Sequence, residues 1–108
     1  MKLLITGSRN ITNFDLSGYI SDDVKAIISF NNEGIDRIAA EYADYYGIPK
    51  LIFDPDCEKS ESRKNYDEII MMCDSVLIIW DGKSQDVIPT IRCVNKHTKP
   101  VKIFLHQV

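Results

Sequence analysis

Residues 2–11 read KLLITGSRNI, an apolar run from Lys2 to Thr6 closed by Gly7 and followed at once by Ser8, Arg9 and Asn10. A run with almost no polar alternation is the pattern of a strand covered on both faces, as in a parallel sheet, rather than one with a wet side. The pattern returns at Ala26–Phe30, Lys50–Phe53, Ser75–Trp80 and Val101–Leu105. Five buried strands are therefore predicted.

Between these runs the apolar period lengthens to that of a helix. Ile35, Ile38, Ala39, Tyr42, Ala43 and Tyr46 fall on one helical face, and Gly47 with Pro49 beyond it stops that helix. Tyr66, Ile69, Ile70 and Cys73 signal another, with Ser60 or Ser62 as its N-cap. Val87, Ile91 and Val94 predict a third over residues 86–97, where Pro89 sits in a first turn that needs no N–H from it. A helix is also expected somewhere in residues 15–23. Strands alternating with helices imply an α/β, three-layer Rossmann-like fold, a five-stranded parallel sheet with helices on both faces joined by right-handed crossovers.

The chain has 108 residues, which predicts a single domain spanning 1–108. Hydrophobic residues make up 44% and charged residues 27%, the balance of a folded globular chain rather than a disordered one. No apolar run reaches the ~20 residues of a membrane span, and the first strand follows Met1 too directly to be a secretory signal, so a cytoplasmic location is expected. Cys57, Cys73 and Cys93 are odd in number and share no C-x-x-C spacing, which favours reduced structural thiols. A net charge of -3 excludes a broad basic face for duplex nucleic acid. Any anionic ligand has to be gripped locally.

Ligands of open parallel sheets sit beyond the carboxyl ends of the strands, where strand order reverses. Three strand ends carry polar loops: Gly7-Ser8-Arg9-Asn10, the stretch from Asn31 through Gly34 to Asp36, and Asp81-Gly82-Lys83-Ser84. An order of 3-2-1-4-5 makes those strands neighbours, whereas 2-1-3-4-5 separates them, so the former is expected. In the first loop Gly7 allows close backbone approach, Ser8 offers a hydroxyl and the Arg9 fork matches phosphate oxygens; the alternative is a solvated turn capped by Asn10 and Asn13. At Gly34 the start of the best helix offers free N–H groups, and Asp36 suits either a ribose hydroxyl or ordinary first-turn capping. Arg63 and Lys64 place cations at a helix start, where a phosphate would compensate them. Trp80 is suited to stacking on a base or to packing under the sheet rim.

Catalytic signatures are missing. There is no G-x-G-x-x-G, no Walker loop, no G-x-S-x-G elbow and no His-rich metal spacing. His97 and His106 fall near the carboxyl terminus, away from the three loops, and the end of the first strand lacks the acids of a receiver or Toprim site. No catalytic residue, cofactor or metal is expected.

The segments ITGSRN, EGIDRIAAEYADYYGIP, SRKNYDEIIMMCDSVLIIWDGKS and KPVKIF, in that order, resemble the SLOG superfamily, in particular its small DUF2493 or YspA-related proteins. The resemblance spans nearly the whole chain. It implies a Rossmann-like nucleotide-binding domain, distantly related to lysine-decarboxylase-like phosphoribohydrolases and to the DNA-processing protein DprA. It assigns Gly7, Ser8 and Arg9 to a first phosphate loop and Gly34 and Asp36 to a second. Asn65, with Lys64 beside it, falls on an Arg-Asn pair, and Asp81, Gly82 and Ser84 fall on the fourth-strand loop. The chain departs from the pattern at Phe30 and Asn31, which replace a glycine pair, and at Asp86 and Val87, which replace Gly-Thr. The hydrolases' Pro-Gly-Gly-x-Gly-Thr segment is lacking.

The expected function is a binding or sensing module for a nucleotide or a phosphate-containing derivative. One alternative is a degenerate domain serving oligomerisation or protein interaction. Another is a weak nucleoside-phosphate glycosidic hydrolase, with Asp36 or Glu33 assisting water. A homodimer is expected from the size of the domain and the habit of the relatives.

Overall fold

The apolar runs lie side by side, as the burial pattern requires. In the structure, a computed structural model that describes residues 1–54 and 66–107, the strands are β1 (Lys2–Gly7), β2 (Ala26–Phe30), β3 (Lys50–Phe53), β4 (Ser75–Trp80) and β5 (Val101–Leu105). The helices are α1 (Ile35–Tyr46), α2 (Tyr66–Met72) and α3 (Ile88–His97). All strand pairs are parallel, in the order β3-β2-β1-β4-β5. The fold is therefore the expected Rossmann-like α/β arrangement. The order reverses between β1 and β4, and their register sets Gly7 opposite Ile79.

Alternate side chains of each strand enter different cores. Leu4, Ile28, Val76 and Ile78 pack with Ile69 and Ile70 of α2 and with Cys93 and Val94 of α3. Leu3, Ile5, Ile27, Leu77 and Ile79 pack with Ile35, Ala39 and Ala43 of α1. Both faces of the central strands β1, β2 and β4 are dry, which explains why their sequences hardly alternate, whereas the edge strands β3 and β5, also expected to be buried, are largely exposed because each has a neighbour on one side only. Among the described residues no helix is long and apolar enough to cross a membrane. Cys73 and Cys93 are buried free thiols, while Cys57 and the caps expected at Ser60 or Ser62 lie outside the described residues.

Residues 15–23 do not form the expected helix. Asp15 accepts hydrogen bonds from the backbone N–H and hydroxyl of Ser17, Ser21 bonds Asp23, and Tyr19 N donates to Leu16 O, so short side chains take the backbone into turns. The segment still delivers Ile11, Leu16 and Val24 to the α1-side core. A helix was not needed to bury them. The last helix also begins later than expected, at Ile88, with Pro89 in its first turn and Asp86 outside it.

Gly7 is dictated by space. A Cβ there would lie 2.0 Å from Ile79 O and 2.8 Å from Ile35 Cγ1, so the end of β1 touches β4 and α1 through bare backbone. Gly7→Ala should therefore destabilise the fold by more than about 3 kcal/mol in urea unfolding. Gly18→Ala, where a Cβ meets nothing within 4 Å, should stay within about 0.5 kcal/mol of the parent.

Candidate functional site

The close approach at Gly7 turns the next residue inward. Ser8 is fully buried; its N–H donates to Ile79 O (3.0 Å), and its Oγ accepts from Asp81 N (3.0 Å) and donates to Asp81 Oδ1 (3.3 Å). Its carbonyl accepts from Ile11 N and Ile35 N, both at 3.4 Å. Ser8 thus braces the β1, β4 and α1 ends together and has no hydroxyl to spare for a ligand.

Two carboxylates of the chain occupy five further donors at the switch point. Asp86 Oδ2 accepts the Arg9 backbone N–H at 2.9 Å and lies 3.9 Å from Arg9 Nε. Asp81 Oδ2 accepts from Asn10 Nδ2 (3.0 Å) and from Ser84 Oγ (2.7 Å), and Asp81 Oδ1 accepts the N–H groups of Ser84 (2.7 Å) and Lys83 (2.9 Å). Those backbone N–H bonds, Ser84's foremost, hold the Asp81 carboxyl well below the usual carboxylate range. A phosphate oxygen would be held in the same manner, by loop amides and one cation. Trp80 packs at the rim rather than presenting a free face: its indole N–H donates to Ser84 O at 2.8 Å.

One strand over, Gly34 adopts φ 75° and a Cβ on it would lie 2.3 Å from Ser8 O, which clamps the start of α1 onto the β1 loop. That clamp carries Asp36 inward, where only 1% of its surface is exposed. Its Oδ1 accepts from Thr6 Oγ1 at 2.5 Å and stands 3.3 Å from Ser29 Oγ, which itself donates to Ile5 O at 2.7 Å. Its other oxygen, Oδ2, is buried with no hydrogen-bond partner among the described residues. Burial pushes the Asp36 carboxyl up to about 6, against the opposing pull of Thr6, Asn32, Ser29 and the nearby Arg9 charge. Asp36 lines a cleft of about 440 Å³ with Phe30, Asn31, Asn32, Glu33 and Arg37.

Gly7, Ser8, Arg9, Asp81, Gly82 and Ser84 thus gather at the β1–β4 switch, while Gly34 and Asp36 sit beside it at the end of β2. Lys64 and Asn65 lie outside the described residues. The hydroxyl frame around Asp36 was missed from the sequence, although Thr6 and Ser29 stand out as hydroxyls inside otherwise apolar strand runs. A larger hollow, about 540 Å³, opens at the other end of the sheet around Met1, Leu3, Tyr19 and Pro100. It is mostly apolar, and its carboxylate, Asp74, already accepts the Lys2 N–H at 2.7 Å. No protein-family model, curated protein or solved structure matches the chain.

The buried carboxylate has a pH signature. Folding raises its pKa from the ordinary 3.8 to about 6, so the native state takes up this proton first and its stability falls as pH rises through that window. Asp36→Asn should therefore be more stable than the parent at pH 7.5, by up to about 3 kcal/mol in urea unfolding. The advantage should vanish below pH ~4. An equal difference at both pH values would contradict the assignment.

Proposed function

We propose that this chain is a non-catalytic Rossmann-like module that binds a nucleoside or nucleotide derivative at the carboxyl ends of β1 and β2. The observation that carries this reading is Asp36 Oδ2, a buried acceptor without a donor among the described residues, on a residue that lines a cleft. Leaving such an acceptor unpaired costs about 1–3 kcal/mol, and a ribose diol supplies the missing donors. Phe30 and the amides of Asn31 and Asn32 give the cleft an apolar wall and amide hydrogen-bonding groups for a base. A phosphate on the ligand meets the Arg9 guanidinium, whose side chain is 54% exposed, rather than loop amides already held by Asp86 and Asp81.

The reading is tested by thermal unfolding with adenosine, AMP, ADP-ribose, NAD and free phosphate. A ligand at ~100 times its Kd adds about 2.7 kcal/mol, a rise of roughly ten degrees or more for a domain of this size. The diol-bearing ligands should raise the midpoint of the parent and not of Asp36→Asn. Arg9→Ala should lose only the excess of AMP over adenosine. Silence across the panel would sink the reading, and release of free base would point to the hydrolase instead.

A second reading, a degenerate domain whose remaining role is self-association, is favoured by a different observation. The carboxylates of Asp81 and Asp86 fill the anion donors, and edge strand β5 exposes Ile103 (42%), Phe104 (38%) and Leu105 (70%). An apolar edge of this kind is a template for pairing between chains. Sedimentation velocity should then find a dimer that Leu105→Lys dissociates. A monomer at high concentration for both proteins would reject it.

A further inference from the structure

On the other face of the sheet, where α2 meets α3, three side chains of metal-binding type converge. Cys93 and His97 are four residues apart on α3 and so share one side of it. Asp67 reaches them from α2: its Oδ1 lies 2.7 Å from His97 Nε2 and 3.5 Å from Cys93 Sγ. The three donor atoms all fall within 4.8 Å of one another. Lys96 Nζ stands 3.0 Å from the same carboxylate oxygen.

With metal–ligand bonds of about 2.0–2.3 Å, neighbouring donors of a tetrahedral zinc site sit roughly 3.3–3.8 Å apart. The Asp67–Cys93 separation already has that value, and the Asp67–His97 separation needs to open by about half an ångström to reach it. A sulfur, an imidazole nitrogen and a single carboxylate oxygen form a donor set for zinc-class ions and a poor one for magnesium or calcium, which require several oxygens. Cys93 is 7% exposed, which shields the sulfur, whereas the Asp67 side chain is 47% exposed and leaves the ion a way in.

We propose that Asp67, Cys93 and His97 bind a zinc-class divalent transition-metal ion, with water in the fourth position. The ion takes the place of the Cys93 thiol proton, which leaves to solvent, and uses the lone pair of neutral His97. Lys96 must release Asp67, a small penalty because the pair is exposed to solvent. The site lies on α2 and α3, apart from the β1 and β2 loops, so it stands or falls independently of the nucleoside reading.

The test is titration of the full chain, stripped with chelator, with Co²⁺ followed by Zn²⁺. Expected is a stoichiometric ultraviolet sulfur-to-cobalt charge-transfer band, with the intense visible bands of four-coordinate cobalt, abolished by Zn²⁺. Cys93→Ser should remove the charge-transfer band. His97→Ala, checked to be folded by circular dichroism, should weaken Zn²⁺ affinity by more than about tenfold. The proposal is overturned if Co²⁺ gives no charge-transfer band, if the band survives in Cys93→Ser, or if His97→Ala binds Zn²⁺ like the parent.

Discussion

The arrangement depends on a missing methyl group at Gly7. Because β1 ends in bare backbone against Ile79 O and the Ile35 side chain, Ser8, which follows β1 directly, drops into the space beside β4 and α1 and bonds both Ile79 and Ile35. Gly34 meets the same point from the opposite side, pressed on the Ser8 carbonyl. Close packing leaves no slack here, since interiors are filled to crystal-like density. The relative placement of the three polar loops follows from these two contacts.

Once the loops are fixed, their charges must be satisfied. Polar groups at a tight strand end require partners, and the chain supplies Asp81 and Asp86 to loop N–H groups that would otherwise attract an external anion. At the switch point most of these groups find partners, although Asp86 Oδ1, like Asp36 Oδ2 one strand away, is buried with none among the described residues. At Asp36 two hydroxyls frame one oxygen and leave the other unpaired, so the fold holds a charge it does not fully solvate. Groups of this kind lower stability, and natural sites commonly retain them because a ligand completes them.

The α2–α3 side follows the same logic with different chemistry. Asp67 gathers the donors of Cys93, Lys96 and His97, and those bonds, His97's foremost, hold its carboxyl down at about 2. The convergence joins two short helices whose apolar residues Ile69, Ile70 and Val94 already pack into the core on that face of the sheet. It is invisible in linear spacing, because Asp67 lies 26 residues before Cys93.

Much of the fold was legible because burial leaves a one-dimensional trace. A strand covered on both faces has to be apolar throughout, as Leu3, Leu4 and Ile5 are, and helix α1 has to repeat its apolar residues every turn, as Ile35, Ala39 and Tyr42 do. Those constraints determine element type, and the polar loops at three strand ends pointed to the strand order that the sheet adopts. Residues 15–23 were misread because the competition between helix and side-chain turns is settled by local bonds, such as Asp15 to Ser17, that composition does not rank. Which polar residues satisfy one another was likewise decided only by the tertiary structure. The sequence by itself determined an α/β sheet with candidate ligand loops at one end. The fold then directed Asp86 onto Arg9, Ser8 onto Asp81 and Asp36 into the interior, because hydrogen bonds form between atoms brought within reach, and reach is set by packing.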